Sequence, residues 1–104
     1  MFYTYRQNNS GGNFVVDDSV TYNVIIESNN AAQANTLAQS VGLYFGGGWD
    51  CPCCGDRWSS AWDDEGDAEP MVYGTPVKEY KEFWARGIDP QIYVYYLDGR
   101  KETY

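Results

Sequence analysis

Hydrophobic positions along this chain recur with two periods. Phe2 to Gln7 alternates and is rich in Phe, Tyr and Thr, and Val20 to Glu27 places Val20, Tyr22, Val24 and Ile26 on one side with Ile25 on the other. Alternation of this kind, carried by aromatic and β-branched residues, predicts strands. After Phe2–Gln7 come Asn8-Asn9-Ser10-Gly11-Gly12 and then Phe14-Val15-Val16, which predict a hairpin closed by a flexible loop. Val20–Glu27 ends at Ser28-Asn29-Asn30, residues suited to cap a helix. The period then changes. Ala31, Ala34, Leu37, Ala38 and Val41 recur at three- and four-residue spacing, the mark of a helix that lays one face on a sheet, and Gly42 is a natural stop. Leu43-Tyr44-Phe45 is expected to return as a short strand before Gly46-Gly47-Gly48, which have no side chains to pack.

Further along, Arg57-Trp58 is expected as a short strand, and Asp63 to Pro70 as an acidic, solvated loop. Thr75-Pro76 predicts the start of a second helix, because proline fits a first turn and Val77, Tyr80, Phe83 and Trp84 fall on one face, with Gly87 as its stop. Gln91 to Leu97 alternates as a strand, and Asp98-Gly99 predicts a two-residue turn into Arg100–Tyr104. The expected fold is a single α+β domain over residues 1–104: a mainly antiparallel sheet of about five or six strands with two helices on one face. No repeat or linker divides it.

Charge narrows the function. Seven Lys/Arg against fifteen Asp/Glu give a net charge of −8, which argues against duplex nucleic acid as a partner, since phosphate affinity comes largely from basic side chains that release counterions. An acidic surface serves solubility first, and it also suits a basic groove on another protein. Aromatic residues make up 17% of the chain, more than a domain of this size hides readily, so some rings are expected at the surface, where Tyr and Trp act as interface anchors or stacking platforms. The opening residues lack the charged and apolar regions of a signal peptide, and no apolar run is long enough to span a membrane. A soluble, intracellular protein without a membrane partner is the expectation.

All three cysteines lie in Cys51-Pro52-Cys53-Cys54-Gly55. The spacing of Cys51 and Cys54 is that of one zinc knuckle, half of a four-ligand site, and the chain has no histidine and no second cysteine pair. Cys51 and Cys54 are therefore the candidate zinc ligands, with Cys53 or Asp56 as secondary candidates. A homodimer sharing one ion through two such pairs would complete the coordination. The competing reading, which the composition favours, is reduced cysteines in a tight turn beside Trp49 and Trp58. Redox catalysis fits poorly, because Gly55-Asp56 denies the helix start that would activate Cys51. Nucleophilic catalysis fits no better in a chain without imidazole. Neither these residues nor the acidic loop, which lacks the ligand pattern of a calcium-binding loop, points to an enzyme.

Three stretches carry a family likeness: Met1-Phe2-Tyr3 through Gly11-Gly12; Asn23-Val24-Ile25-Ile26-Glu27 with the alanine-rich segment running into Gly42-Leu43-Tyr44-Phe45; and Asp50-Cys51 followed by Cys53-Cys54-Gly55-Asp56-Arg57-Trp58. Together they resemble a family of short proteins encoded by tailed bacteriophages, over most of the chain. The resemblance implies no activity and no catalytic residue. It implies a setting, the cytoplasm of an infected bacterial host, and an accessory role there. Such proteins commonly act by occupying a host or anti-phage defence protein, or a small nucleotide that signals to a defence effector. Blocking of a protein with a basic site would use Asp63, Asp64, Glu65, Asp67 and Glu69, with Asp17 and Asp18. Sequestering a nucleotide would instead need cations and ring planes: Arg6, Arg57, Trp58, Tyr93, Tyr95 and Arg100, with Tyr3 and Lys101. A zinc-stabilised structural protein of the virion is a third expectation.

Overall fold

The computed structural model describes residues 1–7, 16–43, 45, 58–72, 74–80 and 91–104. Strands β1 (Phe2–Arg6), β2 (Asn23–Glu27), β5 (Ile92–Tyr95) and β6 (Lys101–Thr103) form one sheet in the order β1-β2-β5-β6. β3 (Met71–Val72) and β4 (Thr75–Pro76) form a separate two-stranded hairpin. The outer pairs are antiparallel, and the central pair β2–β5 is parallel, with Val24 opposite Tyr93 and Ile26 opposite Tyr95. Among the described residues there is one helix, α1 (Ala31–Ser40). The class is α+β with a mainly antiparallel sheet, as expected, but among the described residues the sheet has four strands, with a small separate hairpin, in place of five or six.

β1, expected to pair with the Phe14–Val16 segment, has one strand partner among the described residues. It pairs antiparallel with β2, Tyr3 opposite Ile26 and Tyr5 opposite Val24. Residues 8–15 lie outside the described residues, and Val16 is exposed and not in a strand.

Helix α1 forms where its caps and spacing dictate. The Asn30 side chain accepts from the Gln33 N–H at 2.8 Å, and Asp63 Oδ1 accepts from the Ala31 N–H at 2.9 Å, so two of the four unpaired first-turn donors are satisfied. At the other end Leu43 N donates to Ala38 O at 3.0 Å and Gly42 N to Gln39 O at 3.2 Å. With Gly42 at φ 120° this is a Schellman stop, a backbone conformation that glycine takes without strain. Ala31, Ala34 and Ala38 face the sheet and are buried. Alanines let the helix approach closely, and the sheet supplies the volume with Tyr3, Tyr5, Val24 and Ile26, joined by Val20, Leu43 and Trp58.

The other face is covered too. Ile25, Ile92, Val94 and Phe2 pack against Val72 and Val77 of the hairpin region. The central strands are thus buried on both sides, the condition that gives a continuous apolar run such as Val24-Ile25-Ile26. Thr75 and Pro76, expected to open a second helix, instead pair with β3, Val72 opposite Thr75 and Met71 opposite Pro76. A turn at Gly74, with φ 77°, permits the reversal, and a single helical turn follows in which Tyr80 N donates to Pro76 O at 3.2 Å. Phe83 and Trp84 lie outside the described residues. The expected strands at Leu43–Phe45 and Arg57–Trp58 reduce, among the described residues, to one bridge between Phe45 and Trp58.

The β5–β6 connection is one residue longer than the expected two-residue turn. Gly99 N donates to Tyr96 O at 3.0 Å and Tyr96 N to Arg100 O at 2.8 Å, a type I turn completed by Gly99 at φ 95°. That arrangement places the glycine at the left-handed position of a three-residue loop.

Candidate functional site

The acidic residues gather on a pinned segment. Asp63–Glu65 form a single 3-10 turn, in which Trp62 N donates to Glu65 Oε1 at 2.7 Å and Glu65 N to Trp62 O at 3.0 Å. Two ties hold its start on α1: Ala61 N donates to Asn35 Oδ1 at 2.8 Å and Asn35 Nδ2 donates back to Ala61 O at 3.2 Å. Asp63 adds its cap on Ala31. Its end is held on β1, where Phe2 and Asp67 exchange backbone hydrogen bonds of 2.7 and 2.8 Å. A Cβ on Gly66 would come within 3.0 Å of Tyr3 and of Met1, so the segment passes close over the sheet edge. Asp63, Asp64, Glu65 and Glu69 are exposed, and Asp67 is half-buried.

Between these anchors Trp62 stands 70% exposed. Sequence reading did not single it out. A tryptophan inside a polar, Gly- and Pro-flanked segment was the available signal, since no periodic element could have buried it. Beside it, Asp64, Glu65 and Asp67 line a groove of about 370 Å³ that also contains Arg6, Thr4 and Met71. Arg6 donates to the Tyr22 hydroxyl and its guanidinium sits 4.8 Å from that ring's centroid.

Among the described residues, those suggested for a nucleotide do not converge. β1 and β6 are the two edges of the sheet among the described residues. Arg6 aligns through Asn23 with Ile92 at one end, and Arg100 follows the opposite end of β5. Three strand spacings across and four residues along put their backbones roughly 20 Å apart. Arg100 is paired with Asp98 at 3.0 Å and stacks on Tyr96, 4.3 Å from its centroid. Trp58 is 1% exposed and belongs to the core.

Tyr93 and Tyr95 are engaged as well. Their hydroxyls donate to the carbonyls of Asp17 and Ser19, and the Lys101 ammonium lies 4.0 Å from the Tyr93 centroid and 5.4 Å from that of Tyr95. Burial, then the Tyr93 and Asp17 charges, pushes the Tyr95 phenol up to about 12. Asp17 is held below the usual carboxylate range by the Ser19 and Val20 amides that donate to it. Arg57 lies outside the described residues, as do Cys51, Cys53, Cys54 and Asp56. Among the described residues no group of three or more Cys, Asp or Glu is placed to hold a metal ion.

A second polar cluster sits at β6. Glu102 accepts from the Tyr96 hydroxyl and, at 2.9 Å, from the Tyr104 hydroxyl. Those two donors, Tyr96 first, hold its carboxyl below the ordinary range, while burial and the Glu102 carboxylate raise both phenols. With Glu69, Pro70 and Lys78 these residues line a groove of about 400 Å³ between β6 and the hairpin. No helix among the described residues is long and apolar enough to cross a membrane.

No curated protein and no solved structure matches the chain significantly. The family model described as "Domain of unknown function (DUF7296)" matches residues 1–104, and the chain belongs to that family.

Proposed function

We propose that this chain is a phage accessory protein that binds and blocks a host or anti-phage defence component, acting by occupancy and not by turnover. The observation that carries the reading is Trp62, 70% exposed beside Asp63, Asp64 and Glu65 on a segment fixed at both ends. Large exposed aromatics are the side chains that anchor protein interfaces. A segment already held in place loses little further freedom when it binds, which favours affinity. The surrounding carboxylates suit a basic site on the partner and would speed encounter with it. The phage setting rests on the likeness carried by the Asp50–Trp58 string and its companions.

A protein partner is preferred to a nucleotide on electrostatic grounds. Among the described residues Arg6 and Arg100 lie at opposite edges of the sheet, Arg6 borders three carboxylates, and the rings of Tyr93 and Tyr95 already carry Lys101.

The test is capture of a partner from lysate of a susceptible host, compared across variants of unchanged circular dichroism. Wild-type protein is expected to retain one partner, and Trp62→Ala and Asp64→Lys are each expected to weaken its capture by about tenfold or more. Equal capture by all three proteins, or turnover of a substrate by the isolated chain, would overturn the reading.

A further inference from the structure

We propose that the outer edge of β6 is a docking strand for an extended segment of a partner protein, and that this segment carries a lysine or arginine opposite Glu102. The surface goes beyond the reading above, because it uses neither Trp62 nor the Asp63–Asp67 carboxylates.

The hydrogen-bond ladder defines the edge. Ile92 and Tyr104 exchange backbone bonds of 2.9 and 3.1 Å, and Tyr96 N donates to Arg100 O at 2.8 Å. Bonded and non-bonded pairs alternate along an antiparallel ladder. Lys101, opposite Tyr95, and Thr103, opposite Tyr93, therefore turn their N–H and C=O groups away from β5. Both residues are exposed, and neither has a backbone partner on that side among the described residues. The β1 edge differs: Asp67 already bridges it at Phe2, and the Thr4 hydroxyl donates to Met71 O at 2.7 Å. An unpaired edge is a template for one more strand, in which main-chain bonds give affinity and alternate side chains give selectivity.

The groove beside β6 sets that selectivity. Glu102 lies between Lys101 and Thr103 and points to the other face, into the groove lined by Glu69, Lys78 and Tyr104. Directly opposed residues on neighbouring strands share a face, so the partner residue opposite Glu102 enters this groove. Two carboxylates against one ammonium leave it net negative. Tyr104 and Pro70 offer apolar surface for the stem of a long cationic side chain. A second copy of the chain is the poorer occupant, because two-fold pairing centred on Glu102 would set that carboxylate against its own copy, and like charges directly opposed are destabilising.

The probe is a terminally blocked heptapeptide, Thr-Val-Thr-Lys-Thr-Val-Thr, added to the full chain while amide exchange is followed by NMR. Protection of the Lys101 and Thr103 amides is expected, with about tenfold weaker binding when the peptide lysine is replaced by glutamate. N-methylation of the peptide's edge-facing amides should abolish binding without touching the protein. Thr103→Pro should do the same at unchanged stability, since that N–H makes no bond among the described residues and proline is tolerated on an edge strand. Trp62→Ala should leave peptide binding as it was, which separates this surface from the one above. Absence of binding at millimolar peptide would overturn the proposal, as would equal affinity for the glutamate or N-methylated peptide. Protection of the same amides by self-association without peptide would assign the edge to a second copy and likewise overturn it.

Discussion

The two faces of the central sheet are covered by unlike layers. On one side a ten-residue helix presents alanines, so the backbones approach closely and the volume comes from Tyr3 and Tyr5 of the sheet and from the buried Trp58. Polar atoms on that side are tied inward: the Tyr5 hydroxyl donates to Asn35 Oδ1 at 2.7 Å, and Asn35 in turn holds Ala61. On the other side two short strands cover a smaller aliphatic cluster, Ile25, Ile92 and Val94 with Val72 and Val77. That layer stops short of β6 and leaves Glu102 facing a groove. Asn23 shares this face with Ile25 by alternation, and its side-chain nitrogen and oxygen are buried without a hydrogen-bond partner among the described residues. The polar groups named under the helix are paired within the fold; on the hairpin side Glu102 accepts from Tyr96 and Tyr104 and faces a groove, and Asn23 is left unpaired at a cost.

The largest test of this contrast removes volume from each face. Trp58→Ala should destabilise the protein by about 3–5 kcal/mol, because it opens a large cavity under the helix. Val72→Ala on the hairpin side should cost about 2–3 kcal/mol, from fewer buried methyl groups and a cover better able to collapse. Urea unfolding at neutral pH measures both, and a larger loss for Val72→Ala would reverse the ranking of the faces.

Asn23→Leu sharpens the comparison in the opposite direction. Removing two buried polar groups that make no hydrogen bond should raise stability by about 1–3 kcal/mol. A loss of stability would show that Asn23 is satisfied in solution.

Asp63→Ala tests the tie between the helix layer and the acidic segment. Loss of the bond to the Ala31 N–H should cost about 1 kcal/mol and raise amide exchange in the first turn of α1. Unchanged exchange there would detach the Trp62 segment from the helix.

The smallest effect is read by pH. Tyr5 and Tyr95, with folded values raised mainly by burial, contribute stability that is complete below the unfolded tyrosine value near 10 and is lost as pH rises through their folded values. Near-ultraviolet absorbance should show these phenols ionising later than exposed tyrosines. Glu102, on the hairpin side, works the other way: its folded value is lowered, so its contribution is present above the ordinary carboxylate range and lost as pH falls through the folded value. Glu102→Gln should flatten the acid limb of stability and, because the Glu102 carboxylate also raises the Tyr96 and Tyr104 phenols, weaken their part of the alkaline limb while leaving that of Tyr5 in place.

Much of the local structure was legible before folding. Asn30, the alanine spacing and Gly42 define α1 to within a residue of its expected span, because caps and period act within one helix. Alternation in Phe2–Arg6 and Val24-Ile25-Ile26 marks strands, and Gly99 marks a turn. Pairing was another matter. Nothing local tells β1 to join β2 across sixteen intervening residues, or Thr75–Pro76 to close a hairpin when Pro76 equally suits a first helical turn. The acidic candidates Asp63 to Glu69 came together because they are contiguous, whereas Arg6 and Arg100 were separated by strand order. Lys101 was placed over Tyr93 and Tyr95 by register.

Composition and spacing by themselves determined the class of fold, the helix, the strand-forming segments and the acidic character, since each depends on interactions within a few residues or on a simple sum of charge. The tertiary structure decided, among the described residues, which strands are edges, which faces are covered, which tyrosines are occupied and that Trp62 and not Trp58 reaches solvent. Those are properties of contacts between segments far apart in the chain, and the free energy that selects among them is known only once the alternatives have been packed together.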